Sequence, residues 1–108
     1  MKGIVSGLKT ALLAGACAFP AMAEEITPET FAGRVVDWEF GEQDFLASGR
    51  TRDRLLTDSW GWWELREGRL CLLWPPAEDW DCATTTITQG VLRLEFDDGR
   101  VQTGRFRE

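Results

Sequence analysis

From Val35 onward the dominant spacing of apolar residues is two, and the 3.6-residue spacing of an amphipathic helix is missing, so this stretch is constrained to fold as β-sheet. Val36, Trp38 and Phe40 alternate with Val35, Asp37 and Glu39, the pattern of a half-buried strand. Residues 60–66 and 69–74 flank Glu67-Gly68 and form the clearest hairpin. Pro75-Pro76 must end its second strand, because neither residue can donate to a ladder. Residues 80–87 follow, with Thr84, Thr85 and Thr86 suited to extended backbone. Thr88-Gln89-Gly90 turns the chain into residues 91–96, and Asp97-Asp98-Gly99 turns it again into residues 100–106. Residues 50–57 are assigned to a further strand, and Gly41-Glu42-Gln43-Asp44 to a turn. Ahead of the sheet, Thr27 as N-cap, Pro28 in the first turn and Glu29 near the positive dipole end predict a short helix that Gly33 stops. The expected fold class is all-β: a small antiparallel meander of about six strands, a barrel or a two-layer sandwich, with a short N-terminal helix.

The cysteines narrow this further. If Cys71 and Cys82 face each other across an antiparallel pair, Leu72 faces Asp81, Leu73 faces Trp80 and Trp74 faces Asp79, leaving residues 75–78 as the loop. The expected disulfide therefore staples one hairpin. Two lone cysteines at this spacing, with no histidine in the chain, do not fit a zinc site.

An oxidising compartment is implied by the first residues. Lys2 and Lys9 supply a positive start, residues 10–19 are uncharged and mostly apolar, and Ala21-Met22-Ala23 is an A-x-A cleavage signal. The uncharged run from Thr10 to Ala23 is 14 residues, against the roughly 20 that a membrane-spanning helix needs. We expect residues 1–23 to be a signal peptide and residues 24–108 a single disulfide-stapled domain, periplasmic or secreted, with no integral membrane segment after cleavage. Cys17 raises the question of lipidation, but Ala14-Gly15-Ala16-Cys17 lacks the leucine usual three residues before a lipidated cysteine.

Removing 23 of 108 residues leaves 85, near the size at which one hydrophobic core is only marginally sufficient. It also leaves 10 Arg against 18 Asp plus Glu, a formal charge of −8. Nucleic acid is excluded as an expected partner on that ground, and an anionic membrane surface is disfavoured. The chain has no His and no Tyr, and residues 24–108 have no Lys, so the commonest general base, metal ligand and Schiff-base nucleophile are missing together. No catalytic, cofactor-binding or metal-ligating residue is assigned, and the chain is not expected to be an enzyme.

With Glu67-Gly68 as the turn, one face of the central hairpin carries Gly61, Trp63, Leu65, Leu70, Leu72 and Trp74 and is taken as core. The opposite face gathers Trp60, Trp62 and Trp80 beside Leu73 and the cysteines. Two readings compete for these tryptophans. Large aromatics commonly fill a small core, which a sheet covered on both faces would require. Alternatively, Trp60, Trp62 and Trp80 form an exposed platform for a protein, a glycan or an apolar ligand, with Arg50, Arg52 and Arg54 on one side of their strand as a polar supplement. Parity alone leaves both open.

Other constellations are weaker. Asp79 and Asp81 share a face but lack the spacing of a calcium loop, and a solvated loop is the expected reading. Asp97-Asp98-Gly99 is turn chemistry, and Ser48 and Ser59 have no histidine partner.

The order Gly61-Trp62-Trp63, Gly68-Arg69-Leu70-Cys71, Trp80-Asp81-Cys82 and Asp98-Gly99-Arg100 resembles a group of uncharacterised small exported β proteins of alphaproteobacteria, over roughly residues 27–106. That resemblance implies a small β fold and export and carries over no catalytic residue. A looser likeness is to the periplasmic metalloprotease inhibitors of bacteria, small barrels with one disulfide and an N-terminal inhibitory segment, a part that residues 24–27 would play. Gly61-x-Trp63 is similar to the lipocalin signature, though it falls mid-domain. The expected function is accordingly a monomeric binding or structural domain. A protease inhibitor and a lipocalin-like carrier of a small apolar ligand are the alternatives.

Overall fold

The computed structural model describes residues 24–54 and 58–108; the proposed leader with Cys17, and residues 55–57 of the expected second strand, lie outside the described residues. Helix α1 (Pro28–Phe31) is followed by β1 (Arg34–Trp38), β2 (Gly41–Phe45), β3 (Arg50–Arg54), β4 (Asp58–Arg66), β5 (Arg69–Leu73), β6 (Asp81–Thr88), β7 (Val91–Phe96) and β8 (Val101–Phe106). Each strand pairs antiparallel with the next, and β8 returns to β1 through Gly104↔Trp38, Arg105↔Asp37 and Phe106↔Val36. The sheet is thus a closed up-and-down barrel rather than a sandwich, and closure leaves no unpaired edge.

Eight strands are found among the described residues where a meander of about six was expected; the seven segments assigned above are all represented, and the strand missed outright is β2. Gly41-Glu42-Gln43-Asp44, read as a turn, is most of β2. Its side chains are short or polar, and Gln43 is nonetheless buried, which local polarity cannot reveal. Phe40 then sits in the β1–β2 turn, 80 % exposed, instead of continuing the apolar face of β1. The loop after β5 also runs longer than four residues, because β5 ends at Leu73 and β6 begins at Asp81.

Two tight turns follow the sequence closely. Glu67-Gly68 and Gln89-Gly90 join Arg66↔Arg69 and Thr88↔Val91 as two-residue connections, with φ of 54° and 78° in the first and 54° and 82° in the second. Positive φ at both positions is the type I′ geometry whose twist matches that of the flanking strands.

An eight-stranded barrel is just wide enough inside for side chains to fill it. Val36, Phe45, Trp63, Leu70, Leu72, Ala83, Ile87, Leu92, Leu94 and Phe96 point inward and are buried. Helix α1 stoppers one end. The Thr27 N–H donates to Thr30 Oγ1 at 3.0 Å at its start, and Phe31 is wholly buried, with ring centroids 5.1 Å from Phe45, 5.9 Å from Trp63 and 5.6 Å from Phe106. Trp63 is anchored beside them by a 2.8 Å hydrogen bond from Nε1 to the Leu46 carbonyl. Burying a phenylalanine in this way contributes about 1.5–3 kcal/mol, which fixes the helix to the barrel.

Cys71 and Cys82 are opposed and bonded, with S–S 2.05 Å and Cα atoms 3.9 Å apart. Leu72 faces Asp81 as counted from the sequence. The bond crosses the barrel wall from β5 to β6, on the outer side of the inward-facing Leu70 and Leu72.

Candidate functional site

The outer wall brings together part of the predicted tryptophan surface. Arg50 opposes Trp62, and Arg52 opposes Trp60, in the β3–β4 ladder. Directly opposed residues share a face, so each guanidinium reaches a ring. Arg50 lies 4.7 Å from the Trp62 centroid and 5.0 Å from that of Trp60, while Arg52 lies 5.5 Å from Trp60. Both indoles remain 43 % exposed, so they do not serve as core. Arg50 donates from Nε to the Gly61 carbonyl at 3.3 Å and has no carboxylate within ion-pairing distance among the described residues.

Trp80 and Arg54 are engaged elsewhere. The Arg66 guanidinium covers Trp80 at 4.9 Å and pairs with Glu64. Arg54 turns to Glu42 at 2.7 Å and Asp44 at 3.1 Å. Arg52 also pairs with Asp58 at 2.7 Å, and that hydrogen bond holds the Asp58 carboxyl below its ordinary range.

A second site lies inside, at the end of the barrel opposite α1. Trp38, Gln43, Asp53, Leu72, Trp74 and Phe96 line a pocket of about 140 Å³, with Glu39, Phe40, Asp81 and Arg100 among the residues at its rim. Two inward-facing glycines shape it. A Cβ on Gly104 would stand 2.7 Å from Cε3 of Trp38, and one on Gly61 would stand 2.8 Å from Cε3 of Trp74 and collide with the Leu73 carbonyl. The two indoles therefore lie close against the wall where a side chain is missing.

Polar groups orient this chamber. Trp38 Nε1 donates to Gln43 Oε1 at 2.8 Å, Gln43 Nε2 donates to Thr51 Oγ1 at 2.9 Å, and Thr51 Oγ1 donates to the Asp44 carbonyl at 2.7 Å. Because Gln43 and Thr51 are buried, this chain satisfies groups that would otherwise be costly to leave without partners. At the rim, Arg100 pairs with Asp81 at 2.8 Å and Asp98 at 2.6 Å, and its guanidinium sits 4.5 Å from the Phe96 centroid. The hydrogen bond to Asp81, then that to Asp98, raises the Arg100 pKa above its usual value. Asp98 is held low, first by the backbone N–H of Arg100 and then by its side chain.

Sequence reasoning assigned none of the mouth residues to a site. Asp53 alternates with Arg52 and Arg54 and so lies on the other side of their strand, but nothing local shows that this side faces a lumen. Gln43 was hidden in the misread turn. The usable signal was polar residues alternating on an inward face, which only a barrel makes inward.

Of the remaining predicted residues, Asp79 is exposed, while Asp81 is taken up by Arg100. Asp97 pairs with Arg69 at 2.9 Å. Residues 24–27 are docked: the Glu24 N–H donates to the Ile87 carbonyl at 2.9 Å, and Ile26 packs against the core. No group of three or more His, Cys, Asp or Glu arranged to hold a metal, and no helix long and apolar enough to cross a membrane, occurs among the described residues. No protein-family model, curated protein or solved structure matches the chain.

Proposed function

We propose that the chain is an exported, monomeric binding barrel that holds a small ligand in its open mouth. The observation that carries this reading is the contrast between the two ends. One is stoppered by Phe31, and the other opens into a pocket of about 140 Å³ walled by Trp38, Trp74 and Phe96. That volume is close to the about 150 Å³ of an engineered cavity that takes up benzene. Concave, aromatic-lined pockets with a few placed polar groups are the usual form of small-molecule sites. This reading is a form of the carrier alternative.

Export rests on the leader-like residues 1–23 and is compatible with the Cys71–Cys82 bond. The protein recovered from the cell envelope should begin at Glu24; a mass that retains residues 1–23 would remove the export reading.

A second reading keeps the outer wall as a contact surface for a carboxylate-bearing protein segment. It is favoured by Arg50, poised over two exposed indoles with no acidic partner of its own among the described residues, since Trp and Arg dominate binding hot spots. The protease-inhibitor reading has no such support, because residues 24–27 would have to leave their dock on the barrel.

Indole N–H resonances separate the two sites. In titrations of the folded protein with a set of neutral, cationic and anionic fragments, the signals of Trp38 and Trp74 should move while Trp60 and Trp62 stay still. Movement confined to Trp60 and Trp62, or no movement with any fragment, rejects the mouth.

A further inference from the structure

We propose that the mouth is selective for an organic cation, with room for an alkylammonium head of trimethylammonium size; this rests on the ligand-binding reading above. The first observation is the wall. Trp38, Trp74 and Phe96 bring three aromatic rings to one small volume, with Phe40 at its rim, and aromatic rings attract a desolvated cation, tryptophan most strongly.

The second observation is charge. Among the lining residues Glu39, Asp53 and Asp81 carry carboxylates and Arg100 is the one cation, so the lining has a formal charge of −2. The domain as a whole, at −8 after loss of the leader, carries the same sign.

A third observation comes from within the molecule. The mouth already holds one cation over one ring, since Arg100 is stacked on Phe96 and tied to Asp81 and Asp98. This guanidinium occupies at the rim the kind of position an ammonium ligand would take deeper in. It defines a competitor for Asp81 and Phe96, not an anchor for an anion, because its own charge is matched by two carboxylates.

These observations predict opposite behaviour for two variants. Asp53→Asn is close to isosteric, removes a negative charge from the lining and should weaken cation binding. Arg100→Ala removes the internal competitor and should strengthen it.

The test uses choline, its neutral isostere with a tert-butyl group in place of the trimethylammonium, and pivalate as the matching anion. Binding is read from the Trp38 and Trp74 indole signals of the folded protein. Choline should bind at least about tenfold more tightly than the neutral isostere, and pivalate should not bind. Asp53→Asn should erase most of that preference while leaving the neutral compound unaffected. Glu39→Gln, an exposed change that cannot disturb the interior, should reduce it by a smaller factor. Equal affinity for choline and its isostere overturns cation selectivity while the mouth remains a ligand site. Tighter binding of pivalate overturns it in favour of an anion, and loss of choline binding in Arg100→Ala overturns it by showing that the guanidinium does not compete with the ligand. Silence with all three probes overturns both the selectivity and the site.

Discussion

Trp38 and Gly104 face each other across the seam that closes the barrel, and the glycine's missing side chain is what allows the indole to lie against β8. Gly61 does the same for Trp74 on the other side of the mouth. The ring positions in the pocket thus depend on two atoms that are not there. Gly104→Ala would press a methyl carbon onto Trp38 and onto the Asp37 carbonyl at 2.8 Å, and Gly61→Ala onto the Leu73 carbonyl. Each should cost roughly 1–3 kcal/mol of stability, the range for overpacking a well-filled interior. Because backbone carbonyls take part, shortening Trp38 to Leu should not restore Gly104→Ala in full. Urea denaturation of the single and double variants measures this, and a neutral Gly61→Ala would contradict the packing described.

Cutting the Cys71–Cys82 bond should be felt by the whole domain. The bridge joins residues 11 apart in sequence, and closing a loop of that size stabilises by roughly 3 kcal/mol through the unfolded chain. For about 85 folded residues this is a large share of the total. The midpoint of denaturation should fall clearly on reduction or in Cys71→Ser with Cys82→Ser. Coincident oxidised and reduced curves would refute it.

Acid should weaken the domain while neutral and mildly alkaline conditions leave it unchanged. Arg107 hydrogen-bonds Asp37 and pairs with Glu42 at 2.9 Å, lowering both carboxyl pKa values, and Arg52 and Arg100 do the same for Asp58 and Asp98. A carboxyl lowered on folding contributes stability that is fully present above its unfolded pKa, about 4, and is lost as pH falls through the lower folded value. With no histidine in the chain, nothing of ordinary pKa titrates on side chains between about pH 5.5 and 8. The melting temperature should be flat there and decline below about pH 4, less steeply in high salt, where exposed pairs are screened. A step near pH 6.5 would be inconsistent with this account.

Quenching should report the two classes of indole. Trp60 and Trp62 are 43 % exposed beside Arg50, whereas Trp63 is 7 % exposed. Iodide should quench a distinct accessible fraction, more strongly than caesium because the local charge is positive. Trp60→Phe with Trp62→Phe should remove most of that fraction. Equal quenching by the two ions would show that Arg50 does not hold its place over the rings.

Much of this fold was legible in the chain. Alternation marked the core face of the central hairpin, Glu67-Gly68 and Gln89-Gly90 marked turns, Thr27-Pro28 marked the helix start, and counting from Cys71 to Cys82 located the bonded pair. These are local signals, set by backbone geometry within a few residues. The strand containing Gln43 escaped because its inward residue is polar, and its partners, Trp38 and Thr51, are chosen by the sheet.

The period of two, the paired cysteines and the turn chemistry by themselves determined that this is a disulfide-stapled antiparallel β protein. Closure was decided only in three dimensions. Whether β8 returns to β1 depends on the accumulated twist and stagger of all eight strands, which no single segment encodes. That one event turned the face bearing Trp60 and Trp62 outward to solvent, made a lumen of the face bearing Gln43 and Asp53, and brought Trp38, Trp74 and Phe96 from distant strands around one opening.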